Sequence, residues 1–266
     1  MTNDPVLAVA VRAARAAASI VIDAARDLKR LPTFSKDHGD IVSGADMEAE
    51  DAIIATLRGA FPEHAILGEE SGHIAGARDS GGYKWIVDPI DGTANFVHGF
   101  PYYAVSVALA HGAETTHAVV LDPVHNDLFT AVKGKGAFHN DTQIHVSACL
   151  SLNEALVSTA FPTRESPTLA AYLATFNAMI AQCGGLRRAG SNALDLAHLA
   201  AGRLDGFWVM NLKAWDVAAG ALLVEEAGGR VGDFAGGTQF LRTNEVIASA
   251  PGIFNPLRET IAAARP

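Results

Sequence analysis

Acidic residues follow short apolar segments at several places in the chain. The stretch WIVDPIDGTANF, residues 85–96, ends an apolar run with two aspartates separated by Pro89 and Ile90. The stretches DIVSGADMEAE, ILGEES and KAWDVAAG also place acids beside apolar residues. Carboxylates at the ends of elements, rather than along exposed faces, favour a common site. The acids concerned are Asp46, Glu69, Glu70, Asp88, Asp91 and Asp216.

A cluster of these carboxylates needs a compensating positive charge. Two like charges 4 Å apart repel by about 4 kcal/mol at an effective dielectric constant near 20. The chain has only 20 Lys and Arg for 29 Asp and Glu, and Lys213 alone lies near Asp216 in sequence. Magnesium prefers oxygen ligands and supplies the missing charge. Pro89 has no N–H, which leaves the Ile90 carbonyl free to turn toward a cation.

Gly92 and Thr93 directly follow the two aspartates and suit a phosphate group. If a helix starts here, its first N–H groups are unpaired and can bind phosphate oxygens. Gly92 allows close approach of the backbone, and the Thr93 hydroxyl can bond a phosphate oxygen or a water. The stretch therefore predicts metal ligands followed by a phosphate-binding turn.

Each motif taken alone also fits a structural role. Asp, Pro and Gly are common turn residues, so DPIDGT can mark only a strand-to-turn transition. The acid pair in GEES can be solvated at a strand end. The aspartate of WDVAAG can complement a helix dipole. The occurrence of all these motifs in one chain is what favours a functional site.

The periodicity of the chain predicts elements that bring these acids together. Helices are expected over 4–30 and about 45–58, strands over 64–70 and 83–89, and an antiparallel sheet over about 102–146 with a hairpin at KGKG. After about residue 151, helices over 168–182, 191–202, 215–227 and 254–264 alternate with strands over 205–210 and 245–250. This pattern predicts an α/β fold with two lobes, 1–150 and 151–266, and a cleft between them.

With these features together, the sequence closely resembles the inositol monophosphatase family over essentially its whole length. WIVDPIDGTANF resembles the first signature of that family, and WDVAAGALLVEEAGG (215–229) resembles the second. AGSNALDLAHLAAGRLDGFW (189–208) resembles a further block in the expected order. The resemblance implies a layered α/β sandwich of alternating helices and sheets, of the inositol-monophosphatase and fructose-bisphosphatase type.

The resemblance also implies a role for each matching residue. Two to three Mg²⁺ ions would be held by Glu69, Asp88, the Ile90 carbonyl, Asp91 and Asp216, and phosphoester hydrolysis would proceed by direct attack of a metal-activated water. Thr93 and Asp46 would orient that water, and Glu70 is included among the candidate catalytic residues. Substrate contacts would come from Asp91, Gly92, Thr93, Gly190, Ser191, Asn192 and the residue at position 209, with Lys36 as a further neighbour of the phosphate.

Position 209 departs from the pattern of the family. Members that act on inositol phosphate usually carry a glutamate seven residues before the aspartate of the WD motif, and this chain has Val209 there. A valine cannot bind a hydroxyl group, and an unpaired polyol hydroxyl loses about 1–3 kcal/mol. The resemblance implies myo-inositol 1-phosphate or a similar small polyol phosphate as the substrate, although Val209 would not bind a polyol hydroxyl. Fructose 1,6-bisphosphate, 3′-phosphoadenosine 5′-phosphate and histidinol phosphate remain alternatives.

Composition and charge limit the other classes of function. A net charge of −9 with no basic stripe argues against direct nucleic-acid binding. Two cysteines do not form a disulfide framework, and charges interrupt the apolar N-terminal segment, so we expect a cytoplasmic protein without a membrane span. The resemblance implies a lithium-sensitive homodimer. Some bacterial members also associate with the transcription antitermination machinery, which makes a transcription-factor partner the alternative role.

Overall fold

The computed structural model describes residues 4–35, 41–77, 81–162 and 166–265. Lys36, a candidate neighbour of the phosphate, lies outside these ranges. The α-helices are α1 (Pro5–Ala25), α2 (Gly44–Ala60), α3 (Thr93–His98), α4 (Leu169–Gln182), α5 (Asn192–Ala200), α6 (Ala214–Glu226), α7 (Phe240–Thr243) and α8 (Phe254–Ala264).

The strands form two large sheets and one short hairpin. They are β1 (Thr33–Ser35), β2 (Ile41–Ser43), β3 (Ala65–Gly68), β4 (Gly72–Ile74), β5 (Tyr83–Asp91), β6 (Ala104–His111), β7 (Glu114–Asp122), β8 (Asp127–Val132), β9 (Ala137–His139), β10 (Thr142–Ile144), β11 (Leu156–Thr159), β12 (Gly185–Arg187), β13 (Gly206–Met210), β14 (Arg230–Gly232) and β15 (Glu245–Ser249). The eight-stranded sheet has the order β10-β9-β8-β7-β6-β5-β3-β4. The five-stranded sheet has the order β12-β11-β13-β15-β14.

Helices and sheets alternate in layers. One buried cluster joins α1 and α2 to the first face of the eight-stranded sheet. A second cluster places α5 and α6 between the two sheets, and a third packs α4 and α8 on the outer face of the five-stranded sheet. The layered α/β sandwich expected from the sequence is thus confirmed.

The large sheet is antiparallel from β5 to β10, as the alternating segments over 102–146 predict. The turn between β8 and β9 spans KGKG, and its Gly134 and Gly136 amides donate to the Glu226 carboxylate of α6 at 2.7 and 2.8 Å. A side chain from the middle helical layer therefore fixes the hairpin. The boundary between two lobes at residue 150 stays a prediction.

Helix α1 begins where the sequence indicates but ends earlier. The Asp4 side chain accepts hydrogen bonds from the amides of Val6 and Leu7, and Pro5 occupies the first helical position. The helix ends at Ala25 and a 3₁₀ turn follows over Leu28–Arg30. Leu31 precedes Pro32, which disfavours a helical conformation for Leu31.

In the part of the chain that the structure describes, α1 alone is long and apolar enough to cross a membrane, with a mean hydropathy of 1.7. From the sequence, the charges in the N-terminal apolar segment led us to expect no membrane span. Helix α1 nevertheless passes this test of length and hydropathy, because its alanines and valines outweigh its charges. The core helix of a soluble protein passes the same test. Here α1 buries eight residues, among them Ala10, Ala14 and Val21, against α2 and the large sheet.

Candidate metal and phosphate site

Three aspartates from two distant parts of the chain converge at the end of β5. One carboxylate oxygen from each of Asp88, Asp91 and Asp216 lies within 4.8 Å of the others. Asp88 and Asp91 are three residues apart, so a regular strand would direct them to opposite faces. The pairing of β5 with β6 is irregular between these two residues. This irregularity, which spans Pro89, lets both carboxylates reach one place.

Helices α2 and α6 each carry an acid of the site in their first turn, and this acid accepts a hydrogen bond from the residue that precedes the helix. Asp46 is the third residue of α2, and its Oδ2 accepts from the Ser43 amide at 2.9 Å and the Ser43 hydroxyl at 2.5 Å. Asp216 has the same position in α6, and its Oδ2 accepts from the Lys213 amide at 2.8 Å. Both acids also lie at the positive end of a helix dipole.

Asp91 is bound by the first turn of a different helix, α5. Its Oδ2 accepts from the Ser191 hydroxyl at 2.5 Å and from the Ala193 amide at 2.6 Å. Both bonds end on the same oxygen, so the other oxygen can serve a cation. Burial raises the pKa of Asp91 to about 6, against these hydrogen bonds, which lower it.

Asp88 is a buried acid whose two carboxylate oxygens differ in their hydrogen bonding. It is 1% exposed, and its Oδ1 accepts from the Ile90 amide at 3.0 Å, while its buried Oδ2 has no hydrogen-bond partner among the residues that the structure describes. Burial, followed by the charges of Glu69, Asp91, Asp216 and Asp46, raises the pKa of Asp88 well above its ordinary value. A solvated turn would not bury an acid in this way, so the purely structural interpretation of DPIDGT is disfavoured.

The donor set fits a magnesium ion. Within the described ranges, no Lys or Arg forms an ion pair with Asp88, Asp91 or Asp216. The three convergent carboxylates form an all-oxygen donor set with excess negative charge, which a hard divalent cation satisfies.

Glu69 and Glu70 lie in the turn between β3 and β4. Both are half-buried. Burial is the main cause that raises the pKa of Asp88 and of Asp216, and the charge of Glu69 adds to it. Glu69 therefore lies beside the aspartate cluster rather than in bulk solvent. The Glu70 amide donates to Glu50 Oε2 at 3.0 Å, so the backbone of Glu70 has a structural role here.

The Thr93 hydroxyl contacts both Asp46 Oδ1, at 3.0 Å, and the Ile90 carbonyl, at 3.1 Å. Helix α3 starts at Thr93, which meets the condition for phosphate binding by this turn, and Gly92 precedes it with φ +103°. A Cβ atom at Gly92 would lie 3.1 Å from the carbonyl oxygens of Gly190 and Tyr102. Glycine is therefore required both for the left-handed backbone and for the close approach of the 190 segment.

The predicted substrate residues Gly190, Ser191 and Asn192 form the turn that opens α5, next to this loop. The Asn95 side-chain amide donates to the Tyr102 carbonyl at 2.7 Å and the Ala189 carbonyl at 2.8 Å. These bonds join the turn to α3. Val209, the fourth of the five residues of β13, is 1% exposed and packs in the cluster between the sheets. Its place as a substrate contact stays a prediction.

Several residues that shape the site were not predicted from the sequence. The most informative is Glu50, which is 2% exposed and accepts from the amides of Glu70, at 3.0 Å, and Ser71, at 2.7 Å. A Cβ atom at Gly68 would lie 2.6 Å from the Glu50 carboxylate, so a glycine is needed beside it. One signal was available: Glu50 shares a helix face with Asp46, Ile53 and Leu57.

Comparison with known proteins agrees with the sequence resemblance. The family model described as the inositol monophosphatase family matches residues 2–265. The chain is 46% identical over 262 residues, or 97% of its length and 96% of the relative, to a protein named Nus factor SuhB from Pseudomonas aeruginosa.

Solved structures show the same likeness. Extragenic suppressor protein SuhB from Bartonella henselae superposes with a TM-score of 0.93 at 41% identity, over 97% of this chain and 98% of that one. An inositol monophosphatase from Anabaena (Nostoc) sp. PCC 7120 superposes with a TM-score of 0.86 at 34% identity, over 98% and 96%. The chain belongs to the inositol monophosphatase family.

Proposed function

We propose that the protein is a Mg²⁺-dependent phosphatase that hydrolyses the phosphomonoester of a small polyol. The observation that carries this proposal is the convergence of Asp88, Asp91 and Asp216 within 4.8 Å, beside the Gly92–Thr93 turn. Magnesium ions in such a site lower the pKa of water, neutralise charge on the phosphoryl group and stabilise the leaving oxygen.

The carboxylates would bind the ions in a fixed arrangement. Asp88, Asp91 and Asp216 would hold them with Glu69 and the Ile90 carbonyl. The hydrogen bonds to Asp91 Oδ2 and Asp216 Oδ2 fix these side chains before any ion arrives. Such preorganisation reduces the entropy lost on binding.

Thr93 and Asp46 would orient the attacking water. Asp46 Oδ2 is occupied by Ser43, so its Oδ1 is the oxygen that meets the Thr93 hydroxyl. When Thr93 donates its single proton to Asp46, the lone pairs of Thr93 Oγ can accept a proton from a water. The amides at the start of α3 would then bind phosphate oxygens.

The choice of substrate depends on position 209, where Val209 offers no hydrogen bond to a polyol hydroxyl. The test is to measure phosphate release from a panel of inositol 1-phosphate, fructose 1,6-bisphosphate, 3′-phosphoadenosine 5′-phosphate and histidinol phosphate. We expect release from at least one of these esters. The reaction should require Mg²⁺, stop in EDTA and be inhibited by lithium. Turnover of inositol 1-phosphate would show that Val209 is tolerated. Failure of every ester, in protein that binds Mg²⁺, would refute the proposed activity.

The name Nus factor, carried by the Pseudomonas aeruginosa relative, favours a second candidate function. We propose that the chain also binds a protein of the transcription machinery in the cytoplasm. Pull-down of purified transcription factors should then be equal for the natural chain and for Asp91→Asn, which removes a predicted metal ligand. If neither the natural chain nor the variant binds any of these factors, this role is excluded.

A further inference from the structure

Tyr102 connects the metal-binding loop to helix α5 through two hydrogen bonds. Its hydroxyl donates to Asp195 Oδ1 of α5 at 2.7 Å. Its carbonyl accepts from the Asn95 side chain of α3 at 2.7 Å. The backbone of Tyr102 is thereby held at the Gly92 turn, and its side chain is held at the helix that binds Asp91.

Asp195 lies on the same face of α5 as Ser191, one turn further along the helix. It is 1% exposed, and burial raises its pKa to about 7 although the Tyr102 hydroxyl lowers it. Loss of the hydroxyl would leave a buried carboxyl group without this donor, and the surrounding helix would have to adjust. Neither Tyr102 nor Asp195 has a part in the chemistry proposed above.

The position of α5 determines how Asp91 is held. The two donors to Asp91 Oδ2, Ser191 Oγ and the Ala193 amide, both belong to the start of α5. The Gly190 and Tyr102 carbonyls both lie 3.1 Å from where a Cβ atom of residue 92 would be. These segments are in such close contact that a shift of α5 moves the donors to Asp91.

We propose that Tyr102 and Asp195 are a positioning pair. Their hydrogen bond fixes the first turn of α5, and that turn holds the Asp91 carboxylate in place for Mg²⁺. The role in turnover rests on the proposed function, but the effect on Mg²⁺ binding does not. Partners of metal ligands typically alter metal affinity or activity 10- to 100-fold when they are lost.

Two adjacent tyrosines provide a matched pair of variants. Tyr102→Phe removes the hydroxyl that bonds Asp195 and keeps the ring against His198, with ring centroids 6.0 Å apart. Tyr103→Phe removes a hydroxyl on the other side of the sheet, where the ring packs edge-on against Phe96. In the described residues, the Tyr103 hydroxyl forms no hydrogen bond that Phe would lose.

A third variant separates the hydrogen bond from the charge. Asp195→Asn keeps an oxygen that accepts from Tyr102 and removes the negative charge. If the hydrogen bond positions α5, this variant should bind Mg²⁺ within about threefold of the natural chain.

The first measurement is calorimetric titration with Mg²⁺ alone, at constant pH. Tyr102→Phe should lower the affinity by about tenfold, whereas Tyr103→Phe should leave it unchanged. Hydrogen exchange at the Ala193 amide should be faster by about tenfold in Tyr102→Phe only. In the phosphatase assay, the Mg²⁺ concentration for half-maximal rate should rise, and kcat at saturating Mg²⁺ should recover.

The outcomes distinguish this inference from the proposed function. Equal Mg²⁺ affinities and equal Ala193 exchange in Tyr102→Phe and Tyr103→Phe would overturn it. So would a loss in Asp195→Asn as large as in Tyr102→Phe, since charge rather than the hydrogen bond would then be responsible. If the natural chain hydrolyses no ester, the proposed activity fails, while the Mg²⁺ and exchange measurements still decide the role of the pair.

Discussion

Among the described residues, the Asp88 carboxylate accepts one hydrogen bond, from the Ile90 amide, and its other oxygen is buried without a partner. Neighbouring acids add repulsion, so this side chain opposes folding until a cation compensates its charge. Such conflicts between stability and local charge are typical of functional sites. At the residue scale, a substitution that removes the Asp88 charge should therefore abolish function and stabilise the metal-free protein.

We predict that Asp88→Asn raises the free energy of unfolding in EDTA by about 1–3 kcal/mol at pH 7, because it relieves repulsion and gives the orphan position a donor. The same variant should lose the stabilisation by Mg²⁺. Urea unfolding with and without Mg²⁺ measures both effects. Asp51→Asn, an exposed acid on α2, is the control and should change neither value. An Asp88→Asn protein less stable than the natural chain in EDTA would contradict this account.

At the scale of elements, Glu50 joins α2 to the turn between β3 and β4, which carries Glu69. We predict that Glu50→Ala lowers Mg²⁺ affinity by at least about tenfold, because the Glu70 and Ser71 amides lose their acceptors and Glu69 is no longer held. Calorimetric titration measures the affinity. Glu48→Ala, exposed on the same helix, should bind Mg²⁺ normally. Equal affinities in the two variants would show that the turn needs no support from α2.

The start of α1 gives a second prediction for an element. Asp4 accepts from the Val6 and Leu7 amides and forms an ion pair with Lys135 at 2.9 Å. The pKa of Asp4 is lowered to about 2, since the Lys135 and Leu7 hydrogen bonds outweigh the opposing effect of burial. A depressed pKa contributes stability above the unfolded value, and this contribution is lost as pH falls from about 4 to about 2.

Asp4→Ala should therefore cost about 1–2 kcal/mol at pH 7 and less at pH 2–3. Guanidinium unfolding of the variant and the natural chain at several pH values measures the difference. Asp23→Ala serves as control, because Asp23 lies near the other end of α1 and, in the described part of the chain, pairs with the exposed Arg26. A difference that does not shrink in acid would mean that the carboxylate charge is not what stabilises the helix.

At the scale of the whole molecule, the middle helical layer unites the two sheets. Its cluster contains Ile86 and Val120 of the large sheet, Leu223 of α6, and Phe207 and Val246 of the smaller sheet. The acids predicted to bind Mg²⁺ also come from both halves of the chain, Asp88 and Asp91 from β5 and Asp216 from α6. We predict a single unfolding transition for both halves. At a Mg²⁺ concentration 100 times Kd, the free energy of unfolding should rise by about 2.7 kcal/mol.

Variants that keep only Trp85 or only Trp208 as the tryptophan would report each sheet separately by fluorescence, because both side chains are buried. Coincident transitions that both move with Mg²⁺ are the expected result. Two separated transitions would instead support independently folding lobes at 1–150 and 151–266.

The predicted homodimer requires its own test: sedimentation that gives a monomer mass would refute it.

Local patterns in the sequence predicted the long helices and most strands of the large sheet, but not β11, β12 and β14 of the smaller sheet. Alternating apolar residues predicted the strands from β6 to β10, and DPIDGT predicted ligands followed by the start of α3. The signature motifs predicted the family, which the comparisons confirm. These features depend on neighbours within a few residues, so a linear sequence displays them directly.

Other features arise only from contacts between distant residues. Asp88 and Asp91 reach the same place because the pairing of β5 with β6 is irregular, and Asp216 joins them from α6. Glu50 supports a turn 20 residues away, and Tyr102 meets Asp195 across 93 residues. The sequence contains these side chains but not their partners, because packing of the layers decides which helix start meets which carboxylate.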